Sequence, residues 1–335
     1  MRLSTLFSGL LNVSLAFAAV AFDSSQCDNK LCYKVTSANG GYAHVVDLNL
    51  QKNSQATSVS IPSYVQFGGK TYYVNTILDN AFKGNSKITD VTFASGISKI
   101  TIKSGAFSNC SNLKRVVFSC QNVAANLRTF ENVNKDIRFQ GRGTKSFVDD
   151  QVSQLLTSLR FSKKTYNNRN QDSVKEKRND LFELGKTVYQ YLRTSNIRDG
   201  GSVATIIKVK FAENSGYCRL FRLLAIAMGV PSNEIFVATD GNGHYWNIVK
   251  IGTTQFLNVD INFAYRVYST LESAEKKTEY YQYKNSFKSS HGISNSSAYW
   301  KILRTNYGYA DESNGQQTME YLESYLKQNK LGEFN

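Results

Sequence analysis

The chain has 335 residues, of which 41% are hydrophobic and 13% aromatic, so global disorder is excluded and two packed domains are expected. Its formal net charge of +14 comes from basic residues that are scattered along the chain and interleaved with acidic ones. Because no zinc-finger, helix-turn-helix or aromatic stacking motif accompanies this charge, we do not expect nucleic acid as a partner.

The N-terminus predicts a secretory signal over residues 1–21. Arg2 precedes a mostly apolar stretch, and Ala19 and Ala21 form an A-x-A pattern that favours cleavage after Ala21, with Ala18 as the second choice. No later stretch is apolar enough to span a bilayer. We therefore expect a secreted or lumenal protein at the extracellular surface, without a transmembrane segment after cleavage; an uncleaved anchor is the alternative.

Five cysteines gain meaning from this predicted export, because the compartment outside the cell is oxidising. Cys27 and Cys32 are close enough in sequence for a short-loop disulfide. Cys110 and Cys120 can be either paired or buried thiols. Cys218 is left over, which suggests a free reactive thiol or an intermolecular link.

The first half contains a repeat with a period of 25 residues, seen in AFKGNSKITDVTF from Ala81 and AFSNCSNLKRVVF from Ala106. A period between 20 and 29 residues is typical of leucine-rich repeats. Asn85 and Cys110 occupy the same position, where such repeats satisfy the backbone of a turn, so Cys110 is predicted to be structural. The apolar positions that coincide are Phe82 with Phe107, Ile88 with Leu113, Val91 with Val116, and Phe93 with Phe118.

The stretch IPSYVQFGGKTYYVNTILDNAFKGNSKITDVTF resembles the BspA-type leucine-rich repeat. In that family an IP strand and a GKTY-V hairpin lead into units of the form I-AF---C--L--V-I. The likeness covers residues 33–139, and LRTFENVNKDIRF is interpreted as a degenerate closing unit. The resemblance implies a β-solenoid over residues 22–140 that serves surface recognition, with a protein or glycan ligand and no chemistry of its own.

The stretch FQGRGTKS, residues 139–146, is rich in glycine and polar residues and is predicted to be a boundary. The second domain is expected over 146–335. Helical stripes predict three helices, the first with Ser146 as N-cap and two aspartates in its first turn. VATIIKVKF could be strand or helix. The stripes are Val148, Val152, Leu155, Leu156 and Leu159; then Leu181, Leu184, Val188, Tyr191 and Leu192; and finally Met319, Leu322 and Leu326.

GYCRLFRLLAIAMGVP, residues 216–231, predicts a buried helix that ends at Gly229 and Pro231. Gly216 would permit a tight turn, and Cys218 would fall in the first helical turn. There the helix dipole would lower the pKa of the thiol, and free amides could receive an oxyanion. Buried structural cysteines are nevertheless common, so both interpretations stay open.

GNGHYWNIVKIGTTQFLNVD predicts two short strands, 244–250 and 254–260. With a three-residue loop, Lys250 would face Thr254 and His244 would lie opposite Asp260. Directly opposed side chains on an antiparallel pair share a face, so the imidazole and the carboxylate could form a hydrogen bond. A register shift of one residue would place Asp260 on the other face.

The order Cys, His and Asp resembles the transglutaminase-like superfamily, with GYC, HYWNIV and FLNVD as its three motifs over residues 180–262. The resemblance implies an α+β domain with a papain-like core. In it Cys218 is the nucleophile, His244 the general base and acid, and Asp260 the orienting carboxylate. Trp246 is expected to pack, and Asn247 to bind backbone. No cofactor or metal ion, including calcium, is expected.

The implied reaction attacks an amide of a peptide or protein substrate and passes through a thioester, giving a peptidase, a deamidase or an acyltransferase. The alternative is an adhesion or binding protein whose second domain kept the fold and lost turnover. An arylamine N-acetyltransferase would also use Cys, His and Asp, but HYWN and the signal sequence disfavour it.

Overall fold

The computed structural model of the chain describes residues 24–37, 41–48, 50–239, 245–253, 255–261 and 301–302. The predicted signal sequence, the predicted tail helix around Met319, and His244 lie outside these residues. Within them, a region built from β-coils precedes a region of helices and antiparallel strands. This agrees with the coarse prediction of an α+β chain that begins with a repeat region.

The repeat region places its strands in two sheets around one apolar core. Its strands are β1 (Ser24–Cys27), β2 (Leu31–Thr36), β3 (Tyr42–Leu48), β4 (Ser58–Ile61), β5 (Tyr64–Phe67), β6 (Lys70–Ile77), β7 (Asp90–Phe93), β8 (Lys99–Ile102), β9 (Arg115–Phe118), β10 (Asn122–Ala125) and β11 (Arg138–Gln140); helix α1 (Leu50–Asn53) lies between β3 and β4. The first sheet has the order β1-β2-β3-β6-β8-β10, with β5 also paired to β6, and the second has the order β11-β9-β7-β4.

The chain alternates between the two sheets, so each turn of the solenoid contributes one short strand to each. The predicted strand of the repeat is confirmed by β7 and β9, whose alternate residues are buried. The sequence prediction missed β8 and β10, the second strand of each turn. Ile100 and Ile102 alternate with polar residues there, a signal that a run of four residues makes easy to overlook.

Phenylalanines from successive coils stack through the solenoid. The rings of Phe82 and Phe107 are 4.9 Å apart and nearly parallel, and Phe107 stacks on Phe130 at 5.2 Å. Phe130 belongs to the predicted degenerate unit, so that unit packs as a full coil although its sequence match is weak. Coils that stack in register bury a continuous core that no single coil could form.

At the turn position shared by Asn85 and Cys110, both side chains bond to the backbone as predicted, one as an acceptor and the other as a donor. The side-chain oxygen of Asn85 accepts hydrogen bonds from the amides of Lys87 and Ile88, at 2.9 and 3.1 Å. The thiol of Cys110 instead donates to the carbonyl of Phe82 at 3.1 Å. Cys110 is therefore structural, and it and Cys120 are buried free thiols, whereas Cys27 and Cys32 form the predicted disulfide.

Helix α2 (Thr144–Ser158) lies along β10, at the edge of the first sheet. Ser146 exchanges hydrogen bonds with both the amide and the carbonyl of Val123, at 3.1 and 3.2 Å. The helix begins earlier than predicted, at an N-cap of Gly143 without a side-chain bond, so the prediction of Ser146 as N-cap is wrong. The two aspartates consequently lie beyond the first turn.

The other described residues of the second half form helices packed beside an antiparallel sheet, of order β16-β15-β14-β17. Its elements are α3 (Gln171–Tyr191), β12 (Arg193–Thr194), α4 (Val203–Val209), β13 (Phe211–Ala212), α5 (Asn214–Met228), β14 (Ile235–Thr239), β15 (Tyr245–Ile251), β16 (Gln255–Val259) and β17 (Lys301–Ile302). The undecided stretch VATIIKVKF therefore forms α4 and enters β13. The predicted apolar stripe of α3 is buried at Leu181, Leu184 and Val188.

The two halves are joined by packed contacts at the predicted boundary. Phe147 of α2 stacks on Phe139 of β11, with ring centroids 5.0 Å apart. Thr205 of α4 donates to the carbonyl of Ile137 at 3.0 Å. The last coil of the solenoid thus packs against the helices that follow it. The division into domains at residues 22–140 and 146–335 stays a prediction.

Candidate functional site

Cys218 lies in α5, one turn inside the helix rather than at its free end. The helix begins at Asn214 after an N-cap of Glu213, and the amide of Tyr217 already bonds to the carbonyl of Glu213. Only 2% of Cys218 is exposed. The expected first-turn position is therefore wrong, and the predicted oxyanion amides belong to residues earlier in the helix.

The electrostatics of Cys218 also differ from the expectation. Burial raises the pKa of its thiol well above the ordinary value, and the negative charge of Asp260 raises it further. Arg219 lowers the pKa, but it is the smallest of the three influences. The expected lowering of the pKa by the helix dipole is thus overridden, because desolvation penalises the thiolate more than a partial charge can stabilise it.

Asp260 lies near enough to Cys218 to raise the pKa of its thiol, although 42 residues separate the two in sequence. The catalytic roles of the two residues stay predictions. Asp260 follows directly after β16 and is partly buried. The negative charge of its carboxylate, at the end of β16, raises the pKa of the Cys218 thiol in α5. His244, the third member of the predicted triad, lies outside the described residues, so the triad itself stays a prediction.

The hairpin that carries Asp260 has a different register from the predicted one. Lys250 pairs with Phe256 and not with Thr254, and Asn247 pairs with Val259. If this register continues by one more pair, Asp260 lies opposite Trp246. The predicted partner, His244, is two residues away from Trp246 along the chain. The strands run 245–251 and 255–259, because the loop takes residues 252–254 instead of 251–253. A shift of two preserves the alternation of faces, whereas a shift of one would reverse it.

Asn247 attaches β15 to the helix of Cys218. Its side-chain amide donates to the carbonyl of Cys218 at 3.0 Å and to that of Phe236 at 3.1 Å. Its predicted role of binding backbone is confirmed. Trp246 is 1% exposed, which confirms its predicted packing role. Together they hold α5 against the sheet at the level of the cysteine.

A second candidate site, which the sequence analysis did not identify, is an exposed surface of the repeat region. Tyr64 and Tyr73 are the large apolar side chains exposed among the described residues, at 53% and 57%. They are direct partners on β5 and β6, and Tyr73 also pairs with Tyr42 of β3. The signal was present in YVQFGGKTYY, where Tyr64 and Tyr73 lie at equal distances on either side of a Gly-Gly turn.

Among the described residues, no group of three or more His, Cys, Asp or Glu side chains could hold a metal ion. Of the helices in this part of the chain, none is long and apolar enough to cross a membrane.

Comparison with known proteins bears on the repeat region. The family model of the BspA type leucine rich repeat region matches residues 52–142 in 6 copies. No curated protein matches the chain. The family match ends before residues 180–262, so it gives no support to the transglutaminase-like resemblance.

Solved structures of leucine-rich repeat proteins align with about a third of the chain. A leucine rich cell surface protein from Faecalibacterium prausnitzii is 22% identical over 38% of this chain and 29% of its own, with a TM-score of 0.24. A leucine-rich repeat protein from Bacteroides capillosus is 18% identical over 35% of this chain and 99% of its own, with a TM-score of 0.25. The pneumococcal vaccine antigen PcpA is 14% identical over 36% of this chain and 38% of its own, with a TM-score of 0.24.

The chain thus spans less than a third of the first of these proteins, and the TM-scores are too low to carry an argument. The family match and the stacked coils, in contrast, coincide over the same residues. Residues 52–142 of this protein form a BspA-type leucine-rich repeat region.

Proposed function

We propose that this protein is a recognition protein, exported by its predicted signal sequence, whose repeat region binds a protein or glycan partner. The observation that carries the proposal is the match of residues 52–142 to BspA-type repeats, together with their stacked and densely packed coils. A solenoid of this kind holds its outward strand residues in a fixed array. Such a preformed array binds a partner without a cost of ordering its own surface.

The test is direct binding by the full mature chain. The chain is immobilised and exposed to a panel of purified extracellular matrix proteins and polysaccharides, and binding is followed by surface plasmon resonance. We expect saturable binding to a member of the panel, with the soluble chain competing. A panel without saturable binding, combined with turnover of a peptide amide, would contradict the recognition function.

A second candidate function, thiol-dependent acyl transfer at Cys218, has one specific observation in its favour. Asp260 lies near enough to raise the pKa of Cys218, and Asn247 holds the same helix against the sheet. Cys218 and Asp260 are two of the three residues in the predicted triad, with His244 as the third. In such a site the thiolate would attack an amide carbonyl, and His244 would pass a proton to the departing amine.

The state of the thiol favours the recognition function over this second candidate. A buried cysteine with a raised pKa is mostly uncharged at neutral pH and presents little nucleophile. Iodoacetamide labelling of the native chain at mildly acidic pH separates the two functions. Selective alkylation of Cys218 that falls in His244→Ala would support catalysis, and labelling no faster than that of Cys110 would support recognition alone.

A further inference from the structure

We infer that the outer face of the first sheet, around Tyr42, Tyr64 and Tyr73, binds an anionic polysaccharide chain. This inference rests on the proposed recognition function and names its ligand class and its site. We call these three residues the tyrosine row. They lie on three neighbouring strands, β3, β6 and β5, in the order Tyr42, Tyr73, Tyr64.

The register of the strands places the three side chains on one face. Tyr73 is the direct partner of Tyr42 in a parallel pair and of Tyr64 in an antiparallel pair. Side chains that are opposed in this way project from the same side of a sheet, and neighbouring strands are about 4.8 Å apart. The row therefore extends across three strands as a continuous aromatic strip, on the side away from buried Tyr72 and Val74.

The exposure of the strip requires an explanation. Tyr64 and Tyr73 are more than half exposed, while the phenylalanines of the repeats are buried. A residue on an outward strand position needs no aromatic ring for folding, and the neighbouring outward positions Gln66 and Thr71 are polar. An amphipathic ring that stays in solvent, with its hydroxyl outward, is suited to a partner that has both an apolar face and hydroxyl groups. A pyranose ring has both.

Charge around the row decides what kind of sugar chain it fits. Lys34 of β2 and Lys99 of β8 are exposed at outward positions of the same sheet, and Lys103 follows β8. His44 is the next outward residue after Tyr42 along β3. Burial lowers the pKa of His44 most, and the positive charge of Lys103 lowers it further. Carboxylates also lie on or beside this face. Asp47 accepts a bond from the amide of Leu48 at 2.7 Å, and Asp79, which follows β6, accepts one from the amide of Ser104 at 3.1 Å.

A strip of rings bordered by ammonium groups complements a chain of sugars that carry carboxylate or sulfate groups. The rings would pack against the apolar faces of successive sugars, and the lysines would bind the anions. A folded protein partner fits less well, because a stable interface needs roughly 800 Å² on each side and the row is one side chain wide. Single-stranded nucleic acid also combines stacking with negative charge, and the experiment treats it as a competing outcome.

The experiment measures binding of the full mature chain to heparin, with dextran as the neutral probe and single-stranded poly(dT) as the nucleic-acid probe. We expect saturable binding of heparin at physiological salt and no binding of dextran. The variant Tyr64→Ala/Tyr73→Ala should weaken heparin binding about tenfold or more, which corresponds to a loss of about 1.4 kcal/mol. Tyr64→Phe/Tyr73→Phe keeps the rings and should remain within about threefold of the parent.

Lysine variants separate the tyrosine row from general attraction to a basic protein. Lys99→Gln removes a cation from the face that carries the row and should weaken heparin binding. Lys114→Gln removes another exposed lysine, beside the second sheet, and should leave heparin binding unchanged. Both tyrosine variants change exposed side chains, so circular dichroism and thermal melting should match the parent closely, which confirms that the fold is intact.

Three results would overturn the inference. Equal heparin affinity in Tyr64→Ala/Tyr73→Ala would show adsorption by charge alone. Tighter binding of poly(dT) than of heparin would assign the row to nucleic acid. Unchanged binding of a protein from the panel by this variant, with no heparin binding by the parent, would reject the row as a glycan site and leave the recognition function standing.

Discussion

The carboxylate of Asp150 on α2 accepts a hydrogen bond from the amide of Ala125 on β10 at 2.8 Å. Ala125 lies on β10, the last strand of the first sheet, where backbone amides would be unpaired without the helix. Gln154, one turn further along the helix, accepts from the amide of Leu127 at 3.2 Å, and Ser146 bonds to Val123 one turn earlier. The helix thus takes the place of the next strand.

The geometric reason is a coincidence of two repeats. Residues four apart on a helix are separated by about 6 Å along its axis, and residues two apart on a strand by about 6.6 Å. Side chains at positions i, i+4 and i+8 of α2 can therefore meet alternate backbone groups of β10. This contact closes the sheet edge and protects the solenoid from pairing with another chain.

The first prediction concerns this edge contact. Asp150→Ala should lower the free energy of unfolding by about 1–3 kcal/mol, because an amide at a covered edge loses its acceptor. Asp149→Ala, the neighbouring carboxylate in an exposed ion pair with Lys145, should cost about 0.5 kcal/mol or less. Urea unfolding followed by circular dichroism measures both. Equal losses in the two variants would show that the edge contact contributes nothing specific.

The second prediction concerns the pH dependence of stability through Lys208. This lysine donates to the carbonyl of Leu127 at 3.1 Å and to Gln151, and its ammonium lies 5.5 Å from the ring centroid of Phe147. Burial lowers its pKa to about 7. The unfolded chain, with an ordinary lysine pKa, binds the extra proton above pH 7, so the contribution of Lys208 to stability rises with pH from about 7 towards 10.

The measurement compares parent and Lys208→Met unfolding curves between pH 7 and 8.5. Other groups titrate equally in both proteins, so the difference in slope isolates Lys208. We expect the slope of the parent to exceed that of the variant by up to about 1.4 kcal/mol per pH unit. Parallel pH dependences in the two proteins would show that Lys208 stays charged in the fold.

The third prediction concerns Gly216, where the sequence analysis expected a tight turn. Gly216 lies inside α5, and a Cβ there would be 2.2 Å from the carbonyl oxygen of Gly200. Replacing a helical glycine by alanine ordinarily stabilises a helix by roughly 0.8–1 kcal/mol. Here Gly216→Ala should instead destabilise the protein by about 1–3 kcal/mol, because a backbone oxygen must move. A melting temperature above that of the parent would contradict this close approach.

The fourth prediction concerns the proximity of Cys218 and Asp260. Because the carboxylate raises the pKa of the thiol, Asp260→Asn should move the onset of Cys218 alkylation to lower pH. Cys110 and Cys120 serve as controls within the same chain, since burial raises the pKa of each to about 11 independently of Asp260. Mapping by mass spectrometry reads each thiol separately. An unchanged onset at Cys218, or an equal change at all three, would place Asp260 out of electrostatic reach.

Much of the repeat region could be predicted from the sequence, because the same buried apolar positions recur at intervals of 25 residues. Phe82 and Phe107 face the core for the same reason, and one implies the other. The helix of Cys218 was equally readable from its apolar stripe. The position of Cys218 within that helix was not, because α5 starts where the chain is held by a partner distant in sequence: the amide of its N-cap, Glu213, bonds to the carbonyl of Gly200 at 3.0 Å.

The register of the hairpin that carries Asp260 shows a similar limit. Three-residue loops over 251–253 and over 252–254 fit the same alternation of apolar residues, so a shift of two leaves the pattern intact. The tyrosine row was hidden for a related reason. Tyrosines on either side of a Gly-Gly turn predict a hairpin, but only strand pairing shows that Tyr42 and Tyr64 flank Tyr73.

The sequence by itself determined the repeat, the buried faces and the disulfide between Cys27 and Cys32, since each depends on local spacing. Tertiary structure alone decided which polar residues are structural. Ser146, Asp150 and Gln154 resemble an ordinary solvent-facing stripe, yet they close the edge of a sheet. Periodicity records which side chains avoid water, and it contains no information about which backbone groups the remaining side chains will meet.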